Sequence, residues 1–452
     1  MKAIILCADL EKKMFPFDET YGIGQLPVLN KEISIWQVEQ LLELGIKEKD
    51  IYIKLNFNEQ QTINTLKRFT QLNFISSKEP LRLFLSDIVD ELKSNIIFIQ
   101  GNRLIAKSDL SRLVSTNTET RVLVSEKNRE SIGMIGAQVN EHQQVEFFLA
   151  HAREHYVNTE VSGLYILTKE AVLSVIKSDD GFNQRISGSM IPDKLFIENA
   201  LNDFIEQGNE VTATYAQDVV FSMEHPWDIL KANEYYLKEA VSKLHQNEIE
   251  KDASISNRAI INGVVKLGKN SKIGDNVIVN GKVIIGDNVL IENGAILNGP
   301  ILVGDNSYIR DYAKVEENTV LGVANKIGHN AEIKGVTMQG VSAIHYSEMY
   351  GVIGKYVDIA AACVCGILRF NDTPQTHKIN GRIYSDSYSN AVFIGDYTRT
   401  GINNIFFPGV KVGSECALYP GLNIEKDVAH RKLIIKKEEH IEKEWGSHKY
   451  GW

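Results

Sequence analysis

Three short stretches hold residues whose types could do chemistry. "LCADLEKKMFP", Leu6–Pro16, follows the apolar strand Lys2–Ile5 and precedes a helical stretch. A strand, loop and helix in that order is where many enzymes hold a nucleotide's phosphates, usually on glycine-rich backbone. This loop has no glycine and carries Asp9, Glu11, Lys12 and Lys13, so two carboxylates would face a polyanion and repel it. Cys363 and Cys365, two apart, share one face of a strand; they read as a metal or redox pair, or as buried thiols. His345, in "SAIHYSEMYGVIG", is a candidate proton acceptor, since a neutral imidazole has an ordinary pKa of ~6.5; the bland alternative is polar surface.

The elements that would position these groups fall into two rhythms. Residues 1 to 245 alternate apolar strands, at Ala3–Leu6, Ile51–Lys54, Asn95–Gln100, Thr120–Val124, Gly163–Leu167 and Glu210–Tyr215, with amphipathic segments such as Ile35–Leu44 and Lys194–Gln207. Such alternation predicts a mainly parallel sheet covered on both faces. Pro226 opens a helix whose Ile229, Leu230, Leu237, Val241 and Leu244 fall near helical spacing. The polar residues 246–254 read as a linker.

From residue 255 to 435 the unit is six residues long. Ile273-Gly274-Asp275-Asn276-Val277 recurs twelve residues on at Ile285, and eighteen further on at Val303. An aliphatic residue every six positions, followed by a turn former, is a hexapeptide repeat, three of which make one triangular coil of a parallel β-helix. Ile327 to Ile353 is 26 residues rather than 24, so "GVTMQGVSAIHYSEMY" is expected to leave the wall as a loop carrying His345. A second break, "RFNDTPQTHKINGRIYSDSYSN", precedes the resumption at Phe393-Ile394-Gly395-Asp396. Loops thrown from a solenoid are where binding residues collect. Residues 436–452 form a charged, aromatic tail expected to pack over the solenoid's open end or reach a neighbour.

At 452 residues the chain is long enough for two domains, and 43% hydrophobic with 24% charged residues is a globular composition. A net charge of -9 argues against nucleic acid as the main partner. No apolar run approaches the ~20 residues of a membrane helix, and no signal-peptide pattern follows Met1, so the cytoplasm is the expected location. Four cysteines make no disulfide framework.

"PWDILKAN" at Pro226–Asn233, "AEIKG" at Ala331–Gly335, "LRF" at Leu368–Phe370, "FIGDYTRTGINN" at Phe393–Asn404 and "PGVKVG" at Pro408–Gly413 carry a resemblance across nearly the whole chain. It is to the bifunctional N-acetylglucosamine-1-phosphate uridylyltransferase/glucosamine-1-phosphate acetyltransferase family, in particular its archaeal-type sugar nucleotidyltransferase/acetyltransferase relatives. The resemblance implies an α/β Rossmann-like nucleotidyltransferase domain followed by a left-handed parallel β-helix, and a homotrimer whose active sites are shared between subunits. It implies sugar phosphate or nucleotide sugar as substrate, and acyl-CoA, acetyl-CoA above all, as acyl donor.

The front half departs from the family pattern. The family's two loop glycines fall at Asp9 and Glu11, its threonine at Lys12 and its arginine at Lys13, and its phosphate-contacting lysine falls at Ile23. Leu26-Pro27-Val28 and Lys31 match. The family's aspartate that holds Mg²⁺ falls at Asn102 and its second metal carboxylate at about Ser222, neither of them charged here, so Mg²⁺ binding and pyrophosphorylase chemistry are expected to be lost. In the second half His345 corresponds to the base that deprotonates the sugar amine. Arg310 and Lys334 match the cations on the sugar phosphate, and Tyr350 and Lys378 correspond to further substrate contacts. Asp358, Ala360, Ala361 and Ala362 stand where the family has asparagine, glycine, alanine and glycine; Asp358 would repel a phosphate or attract an ammonium, and the added methyls would line the path of the pantetheine arm. Ala361, Thr400, Gly401, Ile402, Asn403 and Pro420 correspond to the coils along CoA. Three functions follow: an acyltransferase, a non-catalytic scaffold or regulatory trimer that binds a sugar nucleotide or partners an active homologue, or a working nucleotidyltransferase.

Overall fold

The computed structural model describes residues 1–7, 12–55, 58–115, 118–127, 135–150, 155–182, 195–379, 381–437 and 443. Asp9 and Glu11, and nearly all of the tail from residue 438, lie outside the described residues. The chain divides into two compact units, Met1–Glu239 and Ala240–Trp452.

The first unit is built on one sheet around the strand Lys2–Leu6. This strand pairs in parallel with Ile51–Lys54 on one side and Ile96–Gln100 on the other, so Ile4 lies opposite both Tyr52 and Phe98. Ala3, Ile4 and Ile5 are all fully buried, as a strand covered on both faces requires. Ile4 packs with the helices Leu81–Ile88, Lys169–Lys177 and Ile197–Glu206. Ala3 and Ile5 face the opposite core, shared with Ile33–Glu43, Glu59–Leu66 and Lys107–Ser115.

The expected mainly parallel sheet is corrected to a mixed one. Thr159–Leu167 runs antiparallel to Ile96–Gln100, to Arg121–Glu126 and to Ile135–Val139, and the last of these forms a hairpin with Val145–Ala150. A hairpin needs only a few connecting residues, here Asn140–Gln144 with Gln143 at φ +60°, so strand–helix alternation does not register it. At Gly163, φ +76°, the long strand shifts register against Arg121–Glu126. The helix Pro226–Ser242 starts where its proline predicts, and Ile229, Leu230, Leu237, Val241 and Leu244 are all buried.

The second unit is a left-handed parallel β-helix. Its first wall stacks Ser254–Ile255, Lys272–Ile273, Leu290–Ile291, Tyr308–Ile309 and Lys326–Ile327 in parallel, each pair eighteen residues above the last. Ile273, Ile291, Ile309 and Ile327 point inward and are at most 1% exposed. Each such side chain contributes about 1.5–3 kcal/mol by leaving water. The strand Glu248–Ile249 already pairs with Lys266–Leu267, so the solenoid begins inside the polar segment expected to be a linker. Corners at Asn270, Asn276, Asn288, Asn293, Asn306 and Asn318 take left-handed φ, which asparagine tolerates better than most residues. Asparagine side chains also bond coil to coil, as in Asn262 to Asn280 at 3.1 Å and Asn280 to Asn298 at 2.9 Å.

The expected loop around His345 is also corrected. Ile327 stacks on Ala343, and Thr337 on Ile353, each sixteen residues on instead of eighteen. The interval from Ile327 to Ile353 is therefore five steps with two of them shortened to four residues, not four steps with an excess. The coil contracts and the segment stays in the wall. The second break does leave it: Thr376–Ile379 and Arg382–Ser385 form an antiparallel hairpin. At its base His377 Nε2 donates to the Ser389 carbonyl at 3.0 Å, leaving Nδ1 to accept from the buried Lys411 ammonium at 2.5 Å.

Candidate functional site

In the β-helix the corner after the first wall gathers most of the expected residues. Hydrogen bonds stack this corner coil on coil: Asn330 N–H to Asp311 O, Tyr346 N–H to His329 O, Ala362 N–H to Tyr346 O, Asn403 N–H to Ala361 O and Gly421 N–H to Ile402 O. The register of the first wall, Ile309 on Ile327 on Ala343, Ser342 on Asp358 on Arg399 and Thr400 on Leu418, puts Asp311, His329, His345, Ala361, Ile402 and Pro420 at the same corner position. Arg310 is one residue before Asp311, and its Nε is 3.8 Å from that carboxylate. A Cβ on Gly328 would lie 3.8 Å from Arg310 Cγ, so the arginine lies over the coil that carries His329. His329 and His345 meet edge to face with ring centroids 5.7 Å apart. Both imidazoles are exposed at this corner.

Sequence reading missed His329 because it treated residues 335–350 as a loop. With the sixteen-residue coil recognised, His329 falls directly beneath His345. Farther along, Gly401 is covered by Pro420, whose backbone nitrogen would lie 2.5 Å from any Cβ placed there. Thr400 points inward, where its hydroxyl accepts from Ala360 N–H at 2.9 Å and lies 3.3 Å from Cys363 Sγ. Ile402 and Asn403 are exposed, and Asn403 and Ala362 both take left-handed φ, near +58° and +57°.

The remaining expected residues lie elsewhere. Asp358 is exposed on the first wall between Ser342 and Arg399. Lys334 and Tyr350 pair in register at the far end of the second wall. Lys334 Nζ is 3.7 Å from Glu317, a carboxylate that competes with any bound anion. Lys378 is exposed on the hairpin. His345 lies in the bend at the histidine corner and Tyr350 in the next strand, Glu348–Ile353, five residues on and at most roughly 16 Å away at ~3.3 Å per residue. Within one chain the histidine corner and the Lys334 group are therefore distinct places.

Cys363 and Cys365 both point into the solenoid core and are free thiols. Burial pushes the Cys365 thiol up to about 12, and raises Cys363 as well. Among the described residues no three His, Cys, Asp or Glu side chains converge on a metal position. The buried-thiol reading holds for this pair.

In the first unit the structure brings Asn102 and Ser222 together. Met223 N–H donates to the Asn102 carbonyl at 2.9 Å, and Ser222 pairs with Arg103. The charge there comes from Glu224, two residues beyond the expected position. Its carboxylate accepts from Ser222 Oγ at 3.0 Å and lies 3.3 Å from Lys13 Nζ and 3.7 Å from Arg103 Nη2. Burial works to raise the Glu224 pKa, but Arg103, Lys13, His225 and the Ser222 hydroxyl outweigh it and hold the group below its ordinary value. Among the described residues the donor set does not fit Mg²⁺, because the Glu224 carboxylate beside Asn102 and Ser222 is already paired with Lys13 and Arg103.

A family model described as bacterial transferase hexapeptide (six repeats) matches residues 264–299. Over 453 residues the chain is 26% identical to a protein of Methanococcus vannielii named bifunctional protein GlmU, covering 98% of this chain and 99% of that one. It is 23% identical over 442 residues to the bifunctional sugar-1-phosphate nucleotidylyltransferase/acetyltransferase of Sulfurisphaera tokodaii, covering 96% of this chain and all of that one. A UDP-glucose pyrophosphorylase solved with UDP-glucose matches 53% of this chain and 98% of its own, with 15% identity and a TM-score of 0.43, a likeness too distant to bear on function. Among the described residues no helix is long and apolar enough to cross a membrane. By sequence along nearly its whole length, and by its hexapeptide solenoid, the chain is a relative of the archaeal bifunctional sugar-1-phosphate nucleotidyltransferase/acetyltransferases.

Proposed function

We propose that the β-helix unit transfers an acyl group from acyl-CoA, with acetyl-CoA as the expected donor, to the amine of an amino-sugar phosphate or a nucleotide-linked amino sugar. The observation that carries this reading is the corner column, in which Asp311 with its neighbour Arg310, then two imidazoles, then Ala361, Ile402 and Pro420 succeed one another along one edge. His345 takes a proton from the substrate amine, whose lone pair then forms the new N–C bond with the thioester carbonyl. The C–S bond breaks, and the imidazolium returns the proton to the CoA thiolate. Arg310 is suited to the substrate phosphate through its planar guanidinium. Ala361, Gly401, Ile402, Asn403 and Pro420 form the edge along which the pantetheine arm runs, with Thr400 supporting the edge from inside.

Lys334 and Tyr350 lie on a different corner and Lys378 on the hairpin, so their part in the same reaction calls for a neighbouring subunit in a homotrimer. Exposed Tyr346, Ile402 and Tyr419 at the histidine corner supply apolar surface for such a contact. Asn102 and Ser222 carry no charge and the Glu224 carboxylate beside them is paired with Lys13 and Arg103, which supports a first unit without nucleotidyl transfer. One observation favours the scaffold alternative: Glu317 already occupies Lys334.

Free-thiol release from acetyl-CoA and longer acyl-CoAs, with glucosamine 1-phosphate and related amino-sugar phosphates, tests the proposal. Release with at least one pair is expected, falling about a hundredfold or more in His345→Ala. A full rate in His345→Ala, or no release with any pair, would sink it.

A further inference from the structure

Arg103 has more donor capacity than its surroundings use. It is 8% exposed, and its guanidinium offers five N–H groups. Among the described residues its only ion pair is with Glu224, at 3.7 Å, which is beyond hydrogen-bond distance. Its buried Nε has no hydrogen-bond partner. Gly163 keeps the wall beside it free of a side chain, since a Cβ there would lie 2.9 Å from Arg103 Cγ. Lys13 brings a second cation to the same carboxylate at 3.3 Å. A buried guanidinium with unused donors is costly unless something fills them.

We propose that Arg103 and Lys13 form an anion site that takes a phosphate group without a divalent cation, with Glu224 as its resident counter-charge. In the bifunctional relatives' pattern the corresponding place belongs to Mg²⁺ held by carboxylates. Here Asn102 and Ser222 supply no charge, and fixed protein cations have taken the metal's electrostatic role. A guanidinium and an ammonium can bind a phosphate oxygen, but they cannot bridge two phosphates as a metal does, so the site recognises its ligand without transferring it. The ligand class is a phosphate monoester, either a sugar phosphate or free phosphate. The Ser222 hydroxyl, 3.0 Å from Glu224, is placed to hold that carboxylate when it yields its cations.

The test is calorimetric titration of the full chain with inorganic phosphate and, separately, with glucose 1-phosphate, each in EDTA and then in Mg²⁺. Saturable binding in EDTA is expected for at least one probe and unchanged by Mg²⁺; tighter glucose 1-phosphate identifies a sugar phosphate, equal affinities identify free phosphate. Arg103→Gln should weaken binding about tenfold or more, in line with loss of charge-assisted hydrogen bonds. Glu224→Gln removes the competing anion and should tighten binding. No saturable binding in EDTA, binding that needs Mg²⁺, or an unaltered affinity in Arg103→Gln overturns the proposal. Should Arg103→Gln fail to fold, Glu224→Gln decides, and an unchanged or weaker affinity there overturns it. Thiol release at the β-helix is a separate readout, so either proposal can fail while the other stands.

Discussion

Burial decides what the four cysteines can do. Cys7, Cys363, Cys365 and Cys416 are all buried and free, and burial raises every one of their pKa values, Cys7 and Cys365 to about 12. Thiolate, not thiol, is the nucleophile, so at pH 8 the folded protein should react with a disulfide reagent at a small fraction of the rate of free cysteine. All four thiols should titrate at once in guanidinium. Rapid labelling of the folded chain would contradict this burial. The sign for stability follows: an unfolded thiol ionises near 9.0 and the folded Cys365 only near 12, so the stability this group contributes is complete below pH 9 and declines as pH rises toward 12. The same chemistry leaves thiol-release measurements on acyl-CoA free of background from the protein.

At the scale of the coil, close approach of backbones matters more than side-chain identity. Gly351 lies in the strand Glu348–Ile353, where the coil has contracted, and a Cβ there would sit 1.7 Å from the Val392 carbonyl oxygen. Gly351→Ala should therefore destabilise the solenoid by about 1–3 kcal/mol or more, read as a lowered urea midpoint. Gly421 has φ +72° but nothing within 4 Å, and asparagine tolerates that conformation, so Gly421→Asn should change the midpoint little. Equal effects at the two sites would mean that the contraction is not held by this contact. The wall itself was legible as hexapeptides, because an inward aliphatic residue every sixth position leaves little freedom. The shortened steps were not, because a four-residue step keeps the inward residue and changes only the count.

For the whole molecule, the separation of the histidine corner from Lys334, Tyr350 and Lys378 makes a specific demand on assembly. If active sites are completed between subunits, co-refolding His345→Ala with Lys378→Ala should restore thiol release that neither variant has alone. Sedimentation should show a species of three times the chain mass. Activity that never recovers in mixed assemblies, with a trimer present, would confine the site to one chain. The electrostatic consequence of the first unit is independent of assembly, because Lys13, Arg103 and Glu224 all belong to that unit.

Local pattern determined much of this protein on its own. The period of six specifies inward side chains and corner turns within a few residues of each other, and the apolar run Ala3–Ile5 specifies a doubly covered strand; both depend on near neighbours in the chain. That uncharged Asn102 and Ser222 stand at two motif positions was legible from the sequence. Tertiary structure alone decided that His329 sits beneath His345, since that depends on a coil of sixteen rather than eighteen residues. It alone decided that Glu224 meets Lys13 and Arg103, residues about 210 and 120 positions away, whose approach depends on how the sheet closes and on no spacing that a sequence displays.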